Sequence, residues 1–315
     1  MKDKVALMVV VCLAALGWLW SGVGCTQQEP RSNSQFQNEP AARALYDQMI
    51  KSMRAAETLS YESRYRWEAK NETLGDCTYT VWLKKPNYFR VETVKASGDQ
   101  GGILVGDGDF LWIYWPRGRP RFSYEDNEAA YEKTRMKTYM KKPTPLGKHS
   151  IGHEVGLLGA DMLMPTLDPS TFHGYTDSLQ PYVDGVRSLG TEKVGNEECD
   201  GIEVSIMKGQ RSWYLWLSKG DHLPRRLKEV VRVSYEIIQH EEWSNIAING
   251  EIPREKFVWK PPEEWQQWRL AKPEERLLKP GQAAPDFELA SADGSRIKLS
   301  DYRGKIVWLY VWRAG

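Results

Sequence analysis

This sequence has few cysteines and histidines and almost no net charge. Four of its 315 residues are Cys and five are His, and 43 basic side chains offset 42 acidic ones to leave a formal charge of +1. Such a balance gives no overall field that would attract nucleic acid, so no nucleic-acid partner is predicted. His149 and His153 have the spacing of two ligands on one helix face, but Gly147 and Gly152 disfavour a helix there. No metal site is predicted.

Familiar catalytic motifs are missing as well. The chain contains no Gly-x-Ser-x-Gly elbow, no phosphate-binding glycine loop and no paired carboxylates in a recognisable catalytic context. The sequence therefore predicts no catalytic residue within the given chain and no cofactor.

One long uncharged run stands out at residues 5–20, and Lys2 and Lys4 precede it. This is the pattern of the n-region and h-region of an export signal. The run is slightly long for a cleaved signal and short for a membrane span, which needs roughly 20 apolar residues. A cleaved signal, a retained anchor and a lipoprotein signal remain alternatives for residues 1–25. Each predicts an exported protein, either periplasmic or held at the membrane by its N-terminal segment.

Cys25 closes this segment. Small residues at positions 21–24 precede it, as in lipid-modified bacterial lipoproteins, although Gly22 stands where leucine is usual. Cys25 is the candidate lipidation site.

Residues 26–40 are rich in Gln, Asn, Ser, Glu and Pro. A segment of this composition buries too little apolar surface to fold, so residues 26–40 are predicted to be a disordered tether.

Phenylalanine is rare beside the other aromatic residues, with 7 Phe against 14 Trp and 15 Tyr. Trp and Tyr combine a broad apolar face with a polar atom. This bias is typical of a sheet with one wet face or of a groove for an amphipathic ligand, and an aromatic-rich core is the alternative.

Hydrophobic periodicity predicts one helix followed by antiparallel strands. Residues 41–56 place apolar side chains at helical spacing, and residues 61–67 then alternate between aromatic or small and charged side chains. Residues 127–180 break this pattern and are predicted to be a helical insertion over the sheet. The other predicted strands are 77–83, 88–94, 110–115, 183–194, 199–208, 213–217 and 225–236, with a last one near 257–259.

Cys77 and Cys199 are the two cysteines inside the predicted folded body. An oxidising compartment permits a disulfide between them, and two separate thiols are the alternative.

Segments that mark turns and strand ends carry a family resemblance over residues 41–262. They are residues 106–114, 189–195, 200–204, 216–218, 223–226 and 257–262. They resemble the LolA/LolB-like periplasmic lipoprotein carriers. The resemblance implies an α+β fold in which a curved antiparallel sheet, a half-barrel with an N-terminal helix and a helical lid, leaves an apolar cavity for acyl chains. The candidate wall residues are Trp82, Trp112, Tyr114, Trp213 and Trp216.

The last segment has a second resemblance. Residues 280–289, the Asp293-Gly294 turn and residues 299–312 look like the start of a TlpA-like or AhpC/TSA redoxin domain, an incomplete thioredoxin-like fragment joined through a linker at 263–279. In those families the strand at 306–311 leads to a Cys-x-x-Cys motif, whose thiolate a helix N-terminus stabilises. Here Trp312-Arg313-Ala314-Gly315 occupies the lead-in, so the redoxin domain is expected to be truncated just before its nucleophile. A UGA codon read as selenocysteine, a frameshift, a contig end and a true stop are the alternatives.

Three functions follow as hypotheses. The first is an envelope module that binds an apolar or acyl ligand, a lipoprotein or another partner. The second is a thiol-disulfide oxidoreductase or peroxidase, with a redox partner, if the natural product continues past Gly315. The third is a structural envelope component without a ligand.

Overall fold

A computed structural model describes most of the chain between residues 37 and 309. The described ranges are 37–116, 138–143, 151–156, 158, 162–175, 180–268, 278–291 and 294–309. The chain divides into one unit of residues 28–269 and a second that includes residues 270–315. Within the described ranges, no helix has the length and apolar character needed to cross a membrane.

The first unit, called the sheet domain, opens with helix α1 (Pro40–Ala55). Proline at the first helical position suits a helix start, because its missing N–H would have no partner there in any case. Tyr46, Met49 and Met53 recur at helical spacing and are buried, as the sequence predicts. This side of α1 packs on two strands at one end of the sheet described next.

Twelve strands form one sheet in this domain. They are β1 (Thr58–Ala69), β2 (Glu72–Lys84), β3 (Tyr88–Lys95), β4 (Gln100–Asp107), β5 (Phe110–Trp115), β6 (Thr138–Pro143), β7 (Val183–Val194), β8 (Glu197–Ile206), β9 (Arg211–Ser218), β10 (Pro224–Arg232), β11 (Glu236–Ile248) and β12 (Gln266–Gln267). Their order is β12-β6-β5-β4-β3-β2-β1-β11-β10-β9-β8-β7. All neighbours are antiparallel except β12 and β6. The predicted fold class, a LolA-like antiparallel half-barrel with an N-terminal helix, is confirmed.

One face of the sheet, called the inner face, is strongly apolar and covered. Alternate residues of β2, such as Tyr79, Val81 and Leu83, are buried on it. α1 covers β7 and β8. Short helices α2 (Ile151–Gly156) and α3 (Ser170–His173) belong to the predicted insertion, and its described residues between 151 and 175 are called the insertion below. Phe89 lies flat over Gly106 of β4, where any side chain would overlap the ring.

The opposite, outer face is covered in part by residues 251–268, called the strap. The strap contains a 3-10 helix (Arg254–Phe257) and ends in β12. The 3-10 helix contacts β3 and β4, and the outward residues Ile103 and Val105 of β4 are buried together with Phe257. The sheet domain therefore extends past residue 262, where the sequence predicted the linker to begin.

Four strands of the sheet were not predicted from the sequence: the two-residue β12, which lies in the predicted linker, and three longer strands. The three longer strands were missed for identifiable reasons. Residues 103–105 of β4 are buried in succession on both faces, so β4 shows no alternation. β11 was missed because its inward positions include Gln239 and Glu241, and the predicted strand 225–236 is in fact β10 plus a hairpin turn. β6 lies inside the segment predicted to be a helical insertion. The strand predicted at 257–259 is instead part of the strap.

The second unit contains a small hairpin, β13 (Glu288–Ala290) and β14 (Arg296–Lys298), followed by a 3-10 helix (Leu299–Tyr302). Asp286 accepts hydrogen bonds from the backbone of Phe287 and Ser300, which joins the two ends of this hairpin. Residues 306–309, predicted to begin a buried strand, are not paired in a strand, and Ile306 is 91% exposed. No neighbouring strand covers them in the part of this unit that the structure describes.

The packing of the strap on the outer face of the sheet can be tested by truncating Phe257. We expect Phe257→Ala to lower the free energy of unfolding of the sheet domain by about 3–5 kcal/mol, because it removes a fully buried ring and leaves a cavity. Urea unfolding followed by tryptophan fluorescence measures this change. Val258→Ala is the matched control, since Val258 is 54% exposed and its truncation is expected to change stability by less than about 0.5 kcal/mol. Equal losses for both variants would contradict a core beneath the strap.

Candidate functional site

A fully buried carboxylate lies at the centre of the inner face. Glu241 on β11 is 0% exposed, and its Oε2 accepts hydrogen bonds from the Tyr79 hydroxyl, from Ser63 Oγ at 3.3 Å and from Trp243 Nε1 at 3.4 Å. Its Oε1 accepts the backbone N–H of Thr166 in the insertion at 2.5 Å. No basic side chain forms an ion pair with Glu241 in the ranges that the structure describes. The charge is satisfied by neutral donors alone.

A second buried acid anchors a chain of hydrogen bonds beside it. Glu229 on β10 is paired with Arg211 at 3.1 Å and accepts Trp213 Nε1 at 2.9 Å and Gln239 Nε2 at 2.5 Å. The Gln239 oxygen in turn accepts the Tyr65 hydroxyl at 2.5 Å. This chain crosses strands β9, β10, β11 and β1 and fixes the orientation of the Gln239 amide.

Burial dominates the electrostatics of this cluster. It raises the pKa of Glu229, against the lowering effects of Arg211 and the Trp213 N–H, and the nearby Glu241 charge adds to the rise. Burial and then the Glu241 charge likewise raise the pKa values of Tyr65 and Tyr79 well above their usual value. The tyrosines therefore stay protonated and remain hydrogen-bond donors at neutral pH.

The insertion is attached to this cluster through its backbone. Besides the Thr166 N–H on Glu241, the Leu163 N–H reaches the Tyr65 hydroxyl at 3.3 Å. Within the insertion, Asp168 Oδ1 accepts the N–H groups of Gly152 and Ser170 at 3.0 and 2.9 Å. These bonds hold α2 and α3 together, so the insertion packs on the sheet as one piece.

His173 makes the second attachment, at the β2–β3 hairpin. Its Nε2 lies 3.1 Å from the carbonyl oxygen of Tyr88, so Nε2 carries the proton, and the Tyr175 hydroxyl bonds Asn87 beside it. His173 Nδ1 is buried without a hydrogen-bond partner among the described residues. Burial lowers the pKa of His173 to about 4. The contacts with two backbone carbonyls raise this pKa and the Lys85 charge lowers it, each by less than burial does.

Only Trp213 of the five predicted wall residues faces inward. Its indole is buried and donates to Glu229, so it belongs to the inner cluster. Trp216 lies on the outer face, where the Arg226 guanidinium covers its ring at 3.9 Å.

Trp82, Trp112 and Tyr114 also lie on the outer face, next to the strap. Lys256 sits 3.5 Å from the centroid of the Trp82 ring. The Trp112 indole donates to Asp107 at 2.7 Å, and Tyr114 stacks on Trp265 at 3.8 Å. The structure thus separates the five residues between the two faces. Alternation along β9 already puts Trp213 and Trp216 on opposite faces, but it does not relate the faces of different strands or say which face is covered.

The disulfide considered for Cys77 and Cys199 is not formed. Both are buried thiols, and four strands lie between β2 and β8 in the sheet order. Neighbouring strands are about 4.8 Å apart, so strands with four others between them are too far apart for a disulfide, whose Cα atoms are roughly 4.4–6.8 Å apart.

Cys25, His149 and the predicted signal lie outside the described residues. Among the described residues, no group of three or more His, Cys, Asp or Glu side chains could hold a metal ion.

A groove of about 630 Å³ runs along the solvent side of α1. Its lining is Arg43, Asp47, Ile50, Lys51, Arg54, Ala55 and Gln180. Four of these seven side chains are charged, so this groove does not have the character of the acyl cavity that the sequence resemblance implies.

Sequence reasoning missed the inner cluster, although one signal was available. Leu227, Glu229 and Val231 alternate on β10, which puts an acid in phase with two apolar residues. Glu241 gave no such signal.

A family profile described as "predicted periplasmic protein (DUF2092)" matches residues 42–269, which is most of the chain. The chain belongs to this family. The exported, periplasmic location predicted from the sequence is thereby confirmed. The strap falls inside the match, so it is part of the DUF2092 domain. No curated protein matches the chain.

Residues 280–315 match the AhpC/TSA family, in agreement with the predicted redoxin resemblance. Solved structures similar to the DUF2092 domain include an uncharacterized conserved protein from Thermus thermophilus, at 12% identity and a TM-score of 0.40, covering 72% of this chain and 99% of that one. The lipoprotein LppX of Mycobacterium tuberculosis gives 16% identity, a TM-score of 0.36 and coverages of 69% and 99%. A LolA superfamily protein from Nitrosomonas europaea is 10% identical, with a TM-score of 0.31, and the match covers 69% of this chain and 97% of that one. Likenesses this weak carry no functional argument.

The hydrogen bonds to Glu241 can be tested by removing one hydroxyl. We expect Tyr79→Phe to destabilise the DUF2092 domain by about 1.5–3 kcal/mol, because a charged, buried acceptor loses a donor. In a Glu241→Gln background the same change is expected to lower stability by less than about 1 kcal/mol. Chemical denaturation of the four proteins measures the coupling. Tyr235→Phe, at a residue that is 49% exposed, serves as the control, and equal effects of Tyr79→Phe in both backgrounds would refute the bond.

His173 predicts a pH dependence of stability. Its folded pKa of about 4 lies below the ordinary 6.5, so the unfolded chain binds the extra proton first and stability is lost as pH falls from 6.5 to 4. The difference of about 2.5 units, at 1.36 kcal/mol each, gives a loss of about 3 kcal/mol. We expect His173→Gln to flatten the stability–pH profile by that amount in urea titrations at pH 7 and pH 4. His222→Gln, at a ring near the surface, should keep the native profile. A native profile in His173→Gln would show that the ring titrates normally.

Proposed function

We propose that the DUF2092 domain is an envelope-side binding module that holds an amphiphile with an acyl chain between the inner face of the sheet and the insertion. One observation carries the proposal. A broad apolar sheet face is covered by a separate segment that packs apolar side chains on it and is oriented by a few hydrogen bonds around buried polar groups.

The inner face has the surface that an acyl chain needs. The buried side chains under and beside the insertion are almost all aliphatic or aromatic: Tyr79, Val81, Leu83, Phe89, Val91, Leu104, Leu111, Ile113 and Trp115. Burying apolar surface contributes roughly 25 cal/mol per Å², so an acyl chain that replaced the insertion on this face would recover much of the same stabilisation.

The insertion has the features of a movable cover. α2 has six residues and α3 has four, and helices this short do not persist by themselves in water. Their order depends on contacts with the sheet, and segments held in this way open locally at less free energy than the strands of the core. Displacing the insertion would expose the inner face without unpairing any strand of the sheet.

A binding experiment with the chain from Thr26 onward tests the proposal. Organic extraction of protein purified without detergent, followed by mass spectrometry, should recover a bound amphiphile, and a fluorescent acyl probe should bind in competition with it. The Tyr65→Phe variant keeps the apolar wall but removes the oxygen that receives the Leu163 N–H. The variant also loses the bond from Tyr65 to Gln239, which lies within the sheet. We expect about two- to tenfold faster amide exchange at residues 162–166 and faster probe entry, since the hydrogen bond between the insertion and Tyr65, worth about 0.5–1.5 kcal/mol, is lost.

Tyr214→Phe is the matched control, because Tyr214 lies on the outer face beside Lys228. It should leave both rates unchanged. If no amphiphile is extracted and no acyl probe binds the native chain, the domain is a structural component and the proposal fails.

A redox role is the second candidate, and the AhpC/TSA match at residues 280–315 favours it. That segment contains no cysteine, so the activity needs a nucleophile beyond Gly315. Reading the coding DNA past the Gly315 codon tests this. An in-frame UGA followed by a nearby cysteine codon and redoxin-like sequence predicts a selenocysteine enzyme that reduces disulfides or peroxides. Stop codons in every frame would exclude it.

A further inference from the structure

We infer that the site under the insertion selects amphiphiles whose headgroup is uncharged or cationic and donates hydrogen bonds, and that it rejects anionic headgroups such as carboxylates. This inference rests on the proposed function and specifies its ligand class. It follows from the Glu241 carboxylate and from two hydroxyl groups, one on the inner face and one on the insertion, that are buried beside it.

The sheet contributes two buried acids to the enclosed region. They are Glu229 and Glu241. Arg211 pairs with Glu229, whereas Glu241 has only neutral donors among the described residues. An anionic headgroup placed near Glu241 would meet a like charge in a site with little water, where repulsion is strong.

Two basic side chains that the structure describes in or beside the insertion, His173 and Lys85, form no ion pair with Glu241. His173 is neutral near pH 7, because burial lowers its pKa to about 4. The Lys85 ammonium lies over the Phe172 ring and donates to the carbonyl oxygen of Arg54 at the end of α1. Lys85 is therefore held at the margin of the insertion by other contacts.

Two buried hydroxyl groups beside Glu241 are available to a ligand. Tyr61 Oη and Thr166 Oγ1 are buried and have no hydrogen-bond partner within the described structure. The Tyr61 ring stacks on Trp243 at 3.8 Å, and both Trp243 and the Thr166 backbone donate to Glu241. These contacts place both hydroxyls around the same carboxylate.

The chemistry of these three groups defines the headgroup. Glu241 can only accept hydrogen bonds when ionised, and each hydroxyl can donate one and accept others. A headgroup with both an N–H or O–H donor and an acceptor oxygen, such as an amide or an alcohol, would satisfy the two hydroxyls that otherwise lack partners. A carboxylate could satisfy the hydroxyls but would face the Glu241 charge.

Competition by four C18 amphiphiles tests the inference in the chain from Thr26 onward. Oleamide, oleyl alcohol, oleylamine and oleate, each below its critical micelle concentration at pH 7, would displace a neutral fluorescent acyl probe. We expect oleamide and oleyl alcohol to compete at similar concentrations. Oleylamine should compete within about tenfold of them, because its ammonium group is attracted to Glu241 but offers no acceptor to the two hydroxyls. Oleate should compete roughly 100-fold more weakly than oleamide, because of repulsion from Glu241. In Glu241→Gln, the oleate penalty should fall to less than about tenfold.

Glu242→Gln is the matched control, because Glu242 is the next residue on β11 and points outward. It should keep the native ratio of oleate to oleamide. Oleate that competes as well as oleamide in the native chain would overturn the inference while leaving the proposed function intact, since probe binding would still be observed. If the native chain does not bind the probe at all, the proposed function itself fails.

Tyr61→Phe provides a test that does not depend on a variant of the buried acid. The Tyr61 hydroxyl has no partner to lose, so the fold should be retained, as circular dichroism and the urea midpoint would check. We expect oleamide to bind about tenfold more weakly in this variant while the apolar control 1-octadecene is unaffected. Unchanged oleamide affinity would contradict the assignment of Tyr61 to the headgroup.

Discussion

The buried carboxylate of Glu241 is the constraint on which the rest of the sheet domain depends. Its solvation has to be replaced inside the protein, because an ionised group without hydrogen bonds is not tolerated in an apolar interior. Donors from β1, β2, β11 and the insertion meet this need together. A change in the register of any of these elements would remove a donor, so the acid fixes their mutual position more strictly than apolar packing alone does.

The sheet is covered on two sides by quite different means. On the inner face, α1 and the insertion cover apolar side chains, which alternate with polar ones along strands such as β1. On the outer face, the strap buries residues of β4 and stacks Trp265 on Tyr114. β4 and its neighbours are therefore buried from both sides, which makes this half of the sheet the more rigid platform. The insertion faces that platform, so it can move without disturbing the strands.

Local patterns in the sequence indicate the strands but not the site. Tyr61, Ser63 and Tyr65 predict β1 because the covered and wet faces differ in polarity along that strand. β4 loses this contrast because both of its faces are covered, and β11 loses it because its inward face carries Gln239 and Glu241. Alternation fails at β11 because the candidate site is polar, so the miss and the site have one cause.

Sequence patterns could not predict which residues meet in the cluster, for a further reason. Ser63 and Glu241 are 178 residues apart in the chain, and they meet because β1 pairs with β11. No periodicity specifies which distant strand becomes the neighbour, and that choice depends on how the whole sheet closes its core. The alternation of Leu227, Glu229 and Val231 is a signal that could have indicated a buried acid, yet only the pairing of β10 with β11 reveals that Glu229 lies beside a second one.

Two acids buried on one sheet face are an unfavourable arrangement if stability is the only requirement. Replacing buried ionic groups with well-packed apolar ones is often neutral or stabilising, so such groups are weak evidence for a stabilising role. In this domain the insertion is oriented by two single backbone hydrogen bonds, one to Glu241 and one to the Tyr65 hydroxyl. The bond to uncharged Tyr65 is worth about 0.5–1.5 kcal/mol net, and the bond to the Glu241 carboxylate about 1.5–3 kcal/mol. The apolar side chains that the insertion buries on the same face, such as Leu158 and Phe172, contribute most of its attachment but give it little orientation. The polar cluster adds the orientation, which suits a cover that must return to one closed position after a ligand has entered or left.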